Sequence, residues 1–241
     1  KLAIQAYRRA LDDPLNREPQ RQTRLSTGLG LVALKLDQPE MAVAALQDAA
    51  QAEPMNVQVL QTLSEAYLAS GLASDSFQTA IAVRNLLPDD LNALEWFLRQ
   101  GSKLVNQRGL NSQQIRQEIA QTLRKAVLLA PQRADLQLQL GRMLAEDGDA
   151  VGALEAFQRM AEADEATRTL PASMLYPVAR TIRELGNAPL AIHLLERAVA
   201  TSRESSAEDS SAILADLLTE LSLARHQVGA DDQALQAADQ A

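Results

Sequence analysis

The sequence contains no cysteine, and only 3% of its 241 residues are aromatic. The absence of cysteine excludes disulfide frameworks, thiolate metal sites and cysteine nucleophiles. Glycine and proline are also scarce, with 10 and 9 residues. A β-sandwich or β-barrel of this length would need many aromatic strand residues and glycine-rich turns, so both are disfavoured. The core must therefore consist of the Leu, Ala, Val and Ile residues that dominate the 46% apolar fraction.

The sequence also has only two histidines and no long apolar run. The two histidines, His193 and His226, are too far apart in sequence to form a local metal-binding pair. No apolar run is long enough to cross a membrane as a single helix. Residue 1 is Lys within a helical pattern, so we expect a piece of a longer polypeptide. Targeting signals and the cellular compartment are left open.

Long stretches of Ala, Leu, Gln, Glu and Arg favour helix, which predicts an all-α fold. Apolar and small residues recur in similar units, which indicates a repeat protein. One unit contains Leu29, Gly30, Ala33, Ala42, Leu46, Ala49 and Pro54. The next contains Leu60, Leu63, Tyr67, Gly71, Ala80, Val83 and Pro88, and a later one contains Leu140, Gly141, Leu144, Gly148, Ala153, Phe157 and Met160.

This pattern resembles the tetratricopeptide repeat (TPR), whose signature W-x2-L-G-x2-Y, A-x3-F and P recurs about every 34 residues. The segment LGRMLAEDGDAVGALEAF, from Leu140 to Phe157, carries the resemblance most clearly. The resemblance covers nearly the whole chain. It implies an all-α, right-handed α-solenoid of antiparallel helix pairs, a TPR-like superhelix in which neighbouring pairs bury each other's faces.

On this basis we expect one solenoid domain of consecutive units. The predicted units are the second helix of a truncated leading repeat with a linker (1–22), repeat 1 (23–56), repeat 2 (57–90), repeat 3 with an insertion (91–133), repeat 4 (134–171), repeat 5 with a polar loop (172–214) and a truncated repeat 6 (215–241). We expect the exposed faces at the two solenoid ends to promote self-association.

Three places depart from the regular pattern. The insertion in repeat 3 falls between Asn106 and Asn111, and Asn111 with Gln114 forms a capping-box pattern for a helix starting near Ser112. The segments 163–170 and 201–211 are predicted to be inter-repeat loops. Pro177 either kinks a first helix or lies in the first turn of a helix that begins at Tyr176, and the kink is favoured.

In TPR proteins the first helix of each pair lines a concave groove. The resemblance places groove residues at the second, fifth, ninth, twelfth and thirteenth positions of each unit. The ninth position holds Arg99, Arg142 and Arg180 in successive units, and Lys103 and Arg183 lie beside them. Residues 91–142 have a net charge of +5, whereas residues 1–90 have −3 and residues 143–241 have −10.

Two interpretations of these arginines are open. They could bind an acidic extended peptide or a chain-terminal carboxylate, because a guanidinium group donates two parallel hydrogen bonds to a carboxylate. Alternatively, they could pair with acidic residues of the groove, such as Glu95, Glu146 and Glu184. Trp96, the single tryptophan, is either an exposed anchor for a partner or half-buried against the neighbouring helix.

The chemical motifs of an enzyme are missing from the sequence. The segment from Gly28 to Gly30 lacks the Lys-Ser/Thr of a phosphate-binding loop, and no nucleophile motif surrounds any serine. The acidic residues Glu146, Asp147 and Asp149 are interpreted as solvated surface and capping groups. We therefore predict a chain without catalytic activity, cofactor or metal.

The predicted function is a protein–protein interaction scaffold that binds an extended, acidic peptide or partner protein in the groove. An alternative is a substrate-presenting arm of an enzyme, for example a glycosyltransferase, whose catalytic domain lies outside this sequence. A structural spacer in a larger assembly is a third alternative. Nucleic acid is not an expected partner, because the pI is about 4.9 and no aromatic residues alternate with the basic ones.

Overall fold

The computed structural model describes residues 2–105, 107, 110–163, 170–204 and 210–241, and these residues are helical without any strand. Residues 106, 108 and 109 of the predicted insertion, and residues 164–169 and 205–209 of the two predicted loops, lie outside them. The described helices are α1 (Leu2–Asp12), α2 (Pro19–Lys35), α3 (Pro39–Ala52), α4 (Val57–Ala69), α5 (Ala73–Leu86), α6 (Leu91–Leu104), α7 (Ser112–Leu129), α8 (Ala134–Glu146), α9 (Ala150–Glu162), α10 (Ala172–Glu184), α11 (Ala188–Glu204), α12 (Ser210–Gln227) and α13 (Asp231–Asp239). A short 3₁₀ turn (Pro14–Asn16) follows α1.

The chain divides into two compact units. Unit 1 spans Lys1–Thr122 and unit 2 spans Leu123–Ala241, so the boundary lies within α7. In unit 1 the pairs α2/α3 and α4/α5 pack together, and α2 also contacts α4. In unit 2 the pairs are α8/α9, α10/α11 and α12/α13, and α10 contacts both α8 and α12. Within each unit, therefore, the first helices of successive pairs lie side by side.

The turn inside each of these pairs has the same backbone geometry. The second turn residue has a positive φ in all five, at Asp37, Gly71, Gly148, Gly186 and Gly229. In the α4–α5 turn the Leu72 N–H donates to the Tyr67 carbonyl and the Gly71 N–H donates to the Leu68 carbonyl. This is the Schellman arrangement, which satisfies the last carbonyl groups of a helix. The left-handed residue reverses the chain within three residues and makes the paired helices antiparallel.

Small residues allow the paired helices to approach closely. A β-carbon at Gly30 would lie 2.5 Å from Leu46 Cγ, and one at Gly141 would lie 2.5 Å from Phe157 Cε1. Both glycines are buried in first helices, and their large partners lie in the second helices of the same pairs. The small–large contact joins the two helices of a pair.

An arginine joins three helices of unit 1. The Arg84 guanidinium carbon lies 4.8 Å from the centroid of the buried Phe97 ring. Arg84 Nη1 also donates to Glu118 Oε2 at 2.6 Å and to Thr122 Oγ1 at 3.2 Å. The guanidinium group thereby connects α5 with α6 and α7, and it is partly protected from solvent. These contacts assign Arg84 a role in the packing of the three helices.

Helix ends differ from the predicted unit boundaries in several places, so the division into repeats stays a prediction. Helix α2 begins at Pro19, ahead of residue 23, because proline has the φ of a first helical position. Residues 201–204 continue α11 instead of forming a loop. Helix α10 begins at Ala172 and continues through Pro177, which excludes a start at Tyr176.

The predicted cap of α7 is present. The Asn111 side-chain oxygen accepts hydrogen bonds from the N–H groups of Gln113 and Gln114, at 3.1 and 3.2 Å, and α7 begins at Ser112. Among the described residues, no helix combines the length and the apolarity that a bilayer span requires.

Candidate functional site

Three candidate residues lie on α6. Asp90 caps its first turn by accepting a hydrogen bond from the Ala93 N–H at 2.8 Å. Trp96, Arg99 and Lys103 follow at spacings of three and four residues, so they share one face of the helix. Arg99 and Lys103 are exposed, whereas Trp96 is half-buried. The helix therefore presents two cations one turn apart, with the tryptophan ring one turn before them.

A fourth candidate, Arg142, lies on α8 in unit 2. Its side chain is exposed. The preceding residue, Gly141, is buried against Phe157, which fixes the face of α8 that Arg142 presents. Arg99 and Arg142 form no ion pair with any side chain in the described part of the chain. Both therefore keep their hydrogen-bond donors available to a ligand.

The two candidates on α10 differ from these because each has an acidic partner within unit 2. Arg180 Nε lies 2.9 Å from Glu184 Oε1, one helical turn away, and both side chains are more than half exposed (57% and 53%). The hydrogen bond that Arg180 donates to Glu184 raises the pKa of Arg180 above its ordinary value. Arg183 Nε lies 2.5 Å from Glu220 Oε1 on α12, with side-chain exposures of 21% and 5%.

These contacts separate the roles of the two arginines. An exposed pair such as Arg180–Glu184 contributes little to stability, so a competing carboxylate can replace Glu184. Glu220 is buried and depends on Arg183 for its neutralisation, so this pair joins α10 to α12. The sequence allowed internal pairing of Arg180 with Glu184, and this pair is present, whereas the pair of Arg183 with Glu220 was not anticipated. Whether any of the six candidates binds a ligand stays a prediction.

The structure also shows a cleft that the sequence did not indicate. It lies in unit 1 between α2 and the segment that leads into α4, and its volume is about 590 Å³. Its lining includes Arg24, Thr27 and Leu31 from α2, and Glu53, Asn56 and Gln58 from the opposite wall. Arg24, Thr27 and Leu31 stand at the second, fifth and ninth positions of predicted repeat 1. Gln58 stands at the second position of predicted repeat 2. The repeat register is therefore the sequence signal that identifies the cleft, whereas its described lining contains no row of like charges.

The remaining polar groups of interest have structural roles. Asp149 caps α9 by accepting a hydrogen bond from the Gly152 N–H at 3.0 Å, as predicted for this acidic cluster. His226 Nδ1 lies 2.6 Å from Asp231 Oδ1 at a fully solvated turn. Within the described ranges, no group of three or more His, Asp or Glu side chains is arranged to hold a metal ion.

Solved structures with the same arrangement of helices are known. YrrB, a TPR protein with an unusual peptide-binding site, is 16% identical with a TM-score of 0.56, over 84% of this chain and 95% of YrrB. MamA (residue 41 to the end) from Desulfovibrio magneticus RS-1 is 19% identical with a TM-score of 0.55, over 77% of this chain and 98% of that one. PilW, a widely conserved type IV pilus biogenesis factor, is 17% identical with a TM-score of 0.51, over 90% and 91% of the two chains.

No protein-family model matches the sequence, and no curated protein sequence is significantly similar to it. At these identities the likeness to solved structures shows the fold alone. The chain has the TPR fold, an all-α solenoid of antiparallel helix pairs.

Proposed function

We propose that this chain is a protein-interaction scaffold whose first helices bind an extended acidic segment of a partner protein. The observation that carries the proposal is the exposure of Arg99 and Arg142 on first helices, where neither forms an ion pair with a described side chain. Unpaired guanidinium groups are suited to carboxylates, because charge-assisted hydrogen bonds are stronger than neutral ones. Lys103 adds a second cation beside Arg99 in unit 1.

The fold supports a binding role over a catalytic one. A helix-pair solenoid offers extended first-helix surfaces on which a peptide can lie. The similar structure YrrB is a TPR protein with a peptide-binding site. The described residues of this chain present exposed cations and amide groups on their first helices.

The test is a binding titration with a fluorescein-labelled peptide of alternating Glu and Ser residues, beside a peptide in which Gln replaces Glu. We expect the acidic peptide to bind and the Gln peptide to bind at least tenfold more weakly. We expect Arg99→Gln and Arg142→Gln each to weaken binding about three- to tenfold, the range for one exposed charge-assisted contact.

Matched control variants distinguish binding at the candidate arginines from a general effect of net charge. Arg9→Gln in α1 and Arg159→Gln in α9 remove the same charge from exposed positions outside the groove register. Both should bind the acidic peptide as the unmodified chain does. Equal losses in all four variants would show that only net charge matters, and the proposal would then be wrong.

A further inference from the structure

The cleft of unit 1 is built differently from the arginine faces. Among its described lining residues, Arg24 is the one cation and Glu53 the one carboxylate. Arg24 is exposed and forms no ion pair with a described side chain, whereas Glu53 accepts a hydrogen bond from Asn56 Nδ2 at 2.7 Å. A volume of about 590 Å³ is within the range of pockets that bind small ligands.

The other polar groups of the cleft are largely engaged within the protein. The hydroxyl group of Thr27 donates to the Thr23 carbonyl at 2.7 Å, so its hydrogen is not available to a ligand. The Asn56 side-chain oxygen accepts from the Val59 N–H at 3.2 Å, which is the cap of α4. Arg24 is therefore the strongest available donor, and its complement in a ligand is a carboxylate.

An apolar contact lies along the same helix face. Leu31 lines the cleft, and 39% of its surface is exposed. Arg24, Thr27 and Leu31 are spaced by three and four residues, so the guanidinium group and the leucine side chain lie on one face of α2. Seven residues of α-helix separate the Cα atoms of Arg24 and Leu31 by about 10.5 Å along the axis.

This separation selects the conformation of the occupant. In a polyproline II helix, residues three apart face the same side and lie about 9.3 Å apart. In a β-strand, residues on one face lie about 6.8 or 13.6 Å apart, which fits the separation less well. We propose that the α2/α4 cleft binds a short peptide in polyproline II conformation, with an acidic residue at Arg24 and an apolar residue three positions away at Leu31.

This subsite adds a second contact region to the peptide binding proposed above, and the inference rests on that proposed function. Its test uses the full chain and the peptide Gly-Ser-Asp-Pro-Pro-Leu-Ser-Gly, together with the reversed order Leu-Pro-Pro-Asp. Binding is followed through the backbone amide resonances of isotopically labelled protein. At millimolar concentration, at least one of the two peptides is expected to change the chemical shifts of the Thr27 and Leu31 amides. Replacing Asp by Asn, or Leu by Ser, should weaken binding about tenfold, as expected for one lost charge-assisted or apolar contact.

Peptides with a different spacing between Asp and Leu, together with variants of the protein, make the test specific. Peptides with one or three prolines between Asp and Leu should bind several-fold more weakly than the peptide with two. Arg24→Gln should weaken binding about tenfold, whereas Arg21→Gln should not, because Arg21 pairs with Glu18 outside the cleft lining. Glu53→Gln should strengthen binding, since it removes a like charge but keeps an acceptor for Asn56.

Several outcomes would overturn the subsite. These are an absence of shifts in α2 at millimolar peptide, equal binding of the Asp and Asn peptides, or equal effects of the Arg21 and Arg24 substitutions. Binding of the Glu-Ser peptide that still depends on Arg99 and Arg142 would then show that the proposed function holds without this subsite.

Discussion

Ser64 and Ser76 exchange hydrogen bonds across the α4–α5 pair, each hydroxyl donating to the backbone carbonyl of the other at 2.9 and 2.8 Å. Gln100 from α6 completes the group, since its Nε2 lies 3.2 Å from both hydroxyl oxygens. The exposures of the three residues are 0%, 0% and 1%. A buried polar group in which hydroxyl and amide donors find partners fixes the relative positions of three helices.

We predict that Ser64→Ala and Ser76→Ala each lower the free energy of unfolding by about 1–2 kcal/mol, because each leaves buried polar groups without a partner. The double variant should lose less than the sum, since the two residues share one network. Urea denaturation followed by circular dichroism measures these changes. Ser102→Ala is the control, because Ser102 is exposed on α6 and its hydroxyl contacts only the Leu98 carbonyl. A control loss as large as those of the buried serines would contradict the interpretation.

The close contact between Gly141 and Phe157 gives a second prediction. Alanine favours helix over glycine by about 1 kcal/mol. The new methyl group would, however, lie 2.5 Å from the Phe157 ring, and overpacking of this kind costs about 1–3 kcal/mol. We therefore expect Gly141→Ala to lower the melting temperature. Adding Phe157→Leu should cost less in the Gly141→Ala background than in the unmodified chain. A more stable Gly141→Ala variant would show that the two helices are not in close contact there.

The fold could be predicted from the sequence because its determinants are local. A small residue four positions before a large one, as in Ala153 before Phe157, indicated that the paired helices approach closely, and glycine stands in four of the five pair turns. The fifth turn was not recognised, because Asp37 adopts the left-handed conformation that glycine usually provides. Helix ends were predicted less well, because α2 extends back to Pro19 and α11 forward to Glu204 through residues without apolar periodicity.

The candidate site was less predictable, because it depends on partners that are distant in sequence. Arg84, Arg99 and Arg183 have the same chemistry, but Glu118 lies 34 residues from Arg84 and Glu220 lies 37 residues from Arg183. Both separations are close to one repeat, so such pairs follow from the stacking of helix pairs and not from a local motif. Arg24 was overlooked since it is a single cation without a row of similar residues.

Asp135 gives a pH-dependent prediction. Its oxygens accept two hydrogen bonds from Arg133 at 2.8 Å, and these bonds hold the pKa of Asp135 below its ordinary value of 3.8, against the opposing effect of burial. The folded chain therefore keeps this carboxylate ionised at a pH where the unfolded chain is protonated. The resulting stabilisation is present above the unfolded pKa and is lost as the pH falls through the folded pKa.

The variant Asp135→Asn isolates this contribution. The pair is about 44% exposed, so the loss near neutral pH should be below about 1 kcal/mol. The difference from the unmodified chain should decrease toward zero as the pH falls below the unfolded value of 3.8. Urea titrations across this range measure the difference, and Arg133→Gln should show the same dependence. A difference that is constant with pH would indicate that the carboxylate is not stabilised by Arg133.

Removal of the arginine should lower the stability of the chain for one ion pair of α10 and leave it unchanged for the other. Arg183→Met leaves Glu220 buried without its partner, and we expect a loss of about 3 kcal/mol of unfolding free energy. Adding Glu220→Leu should recover most of it, because an apolar pair replaces the buried charges. Arg180→Met should leave the melting temperature unchanged, since Arg180 and Glu184 are exposed. Thermal unfolding of these three variants and of the unmodified chain tests this ranking.

The affinity for the acidic Glu-Ser peptide is expected to depend on Arg180 and not on Arg183. Glu184→Gln removes the carboxylate that competes for Arg180, so we expect peptide affinity to rise about two- to fivefold, the range for an exposed pair. The Arg183→Met, Glu220→Leu variant changes no net charge and should bind the peptide as the unmodified chain does. If instead this double variant lost binding while keeping its stability, Arg183 would be a ligand contact, and its assignment as a structural residue joining α10 to α12 would be wrong.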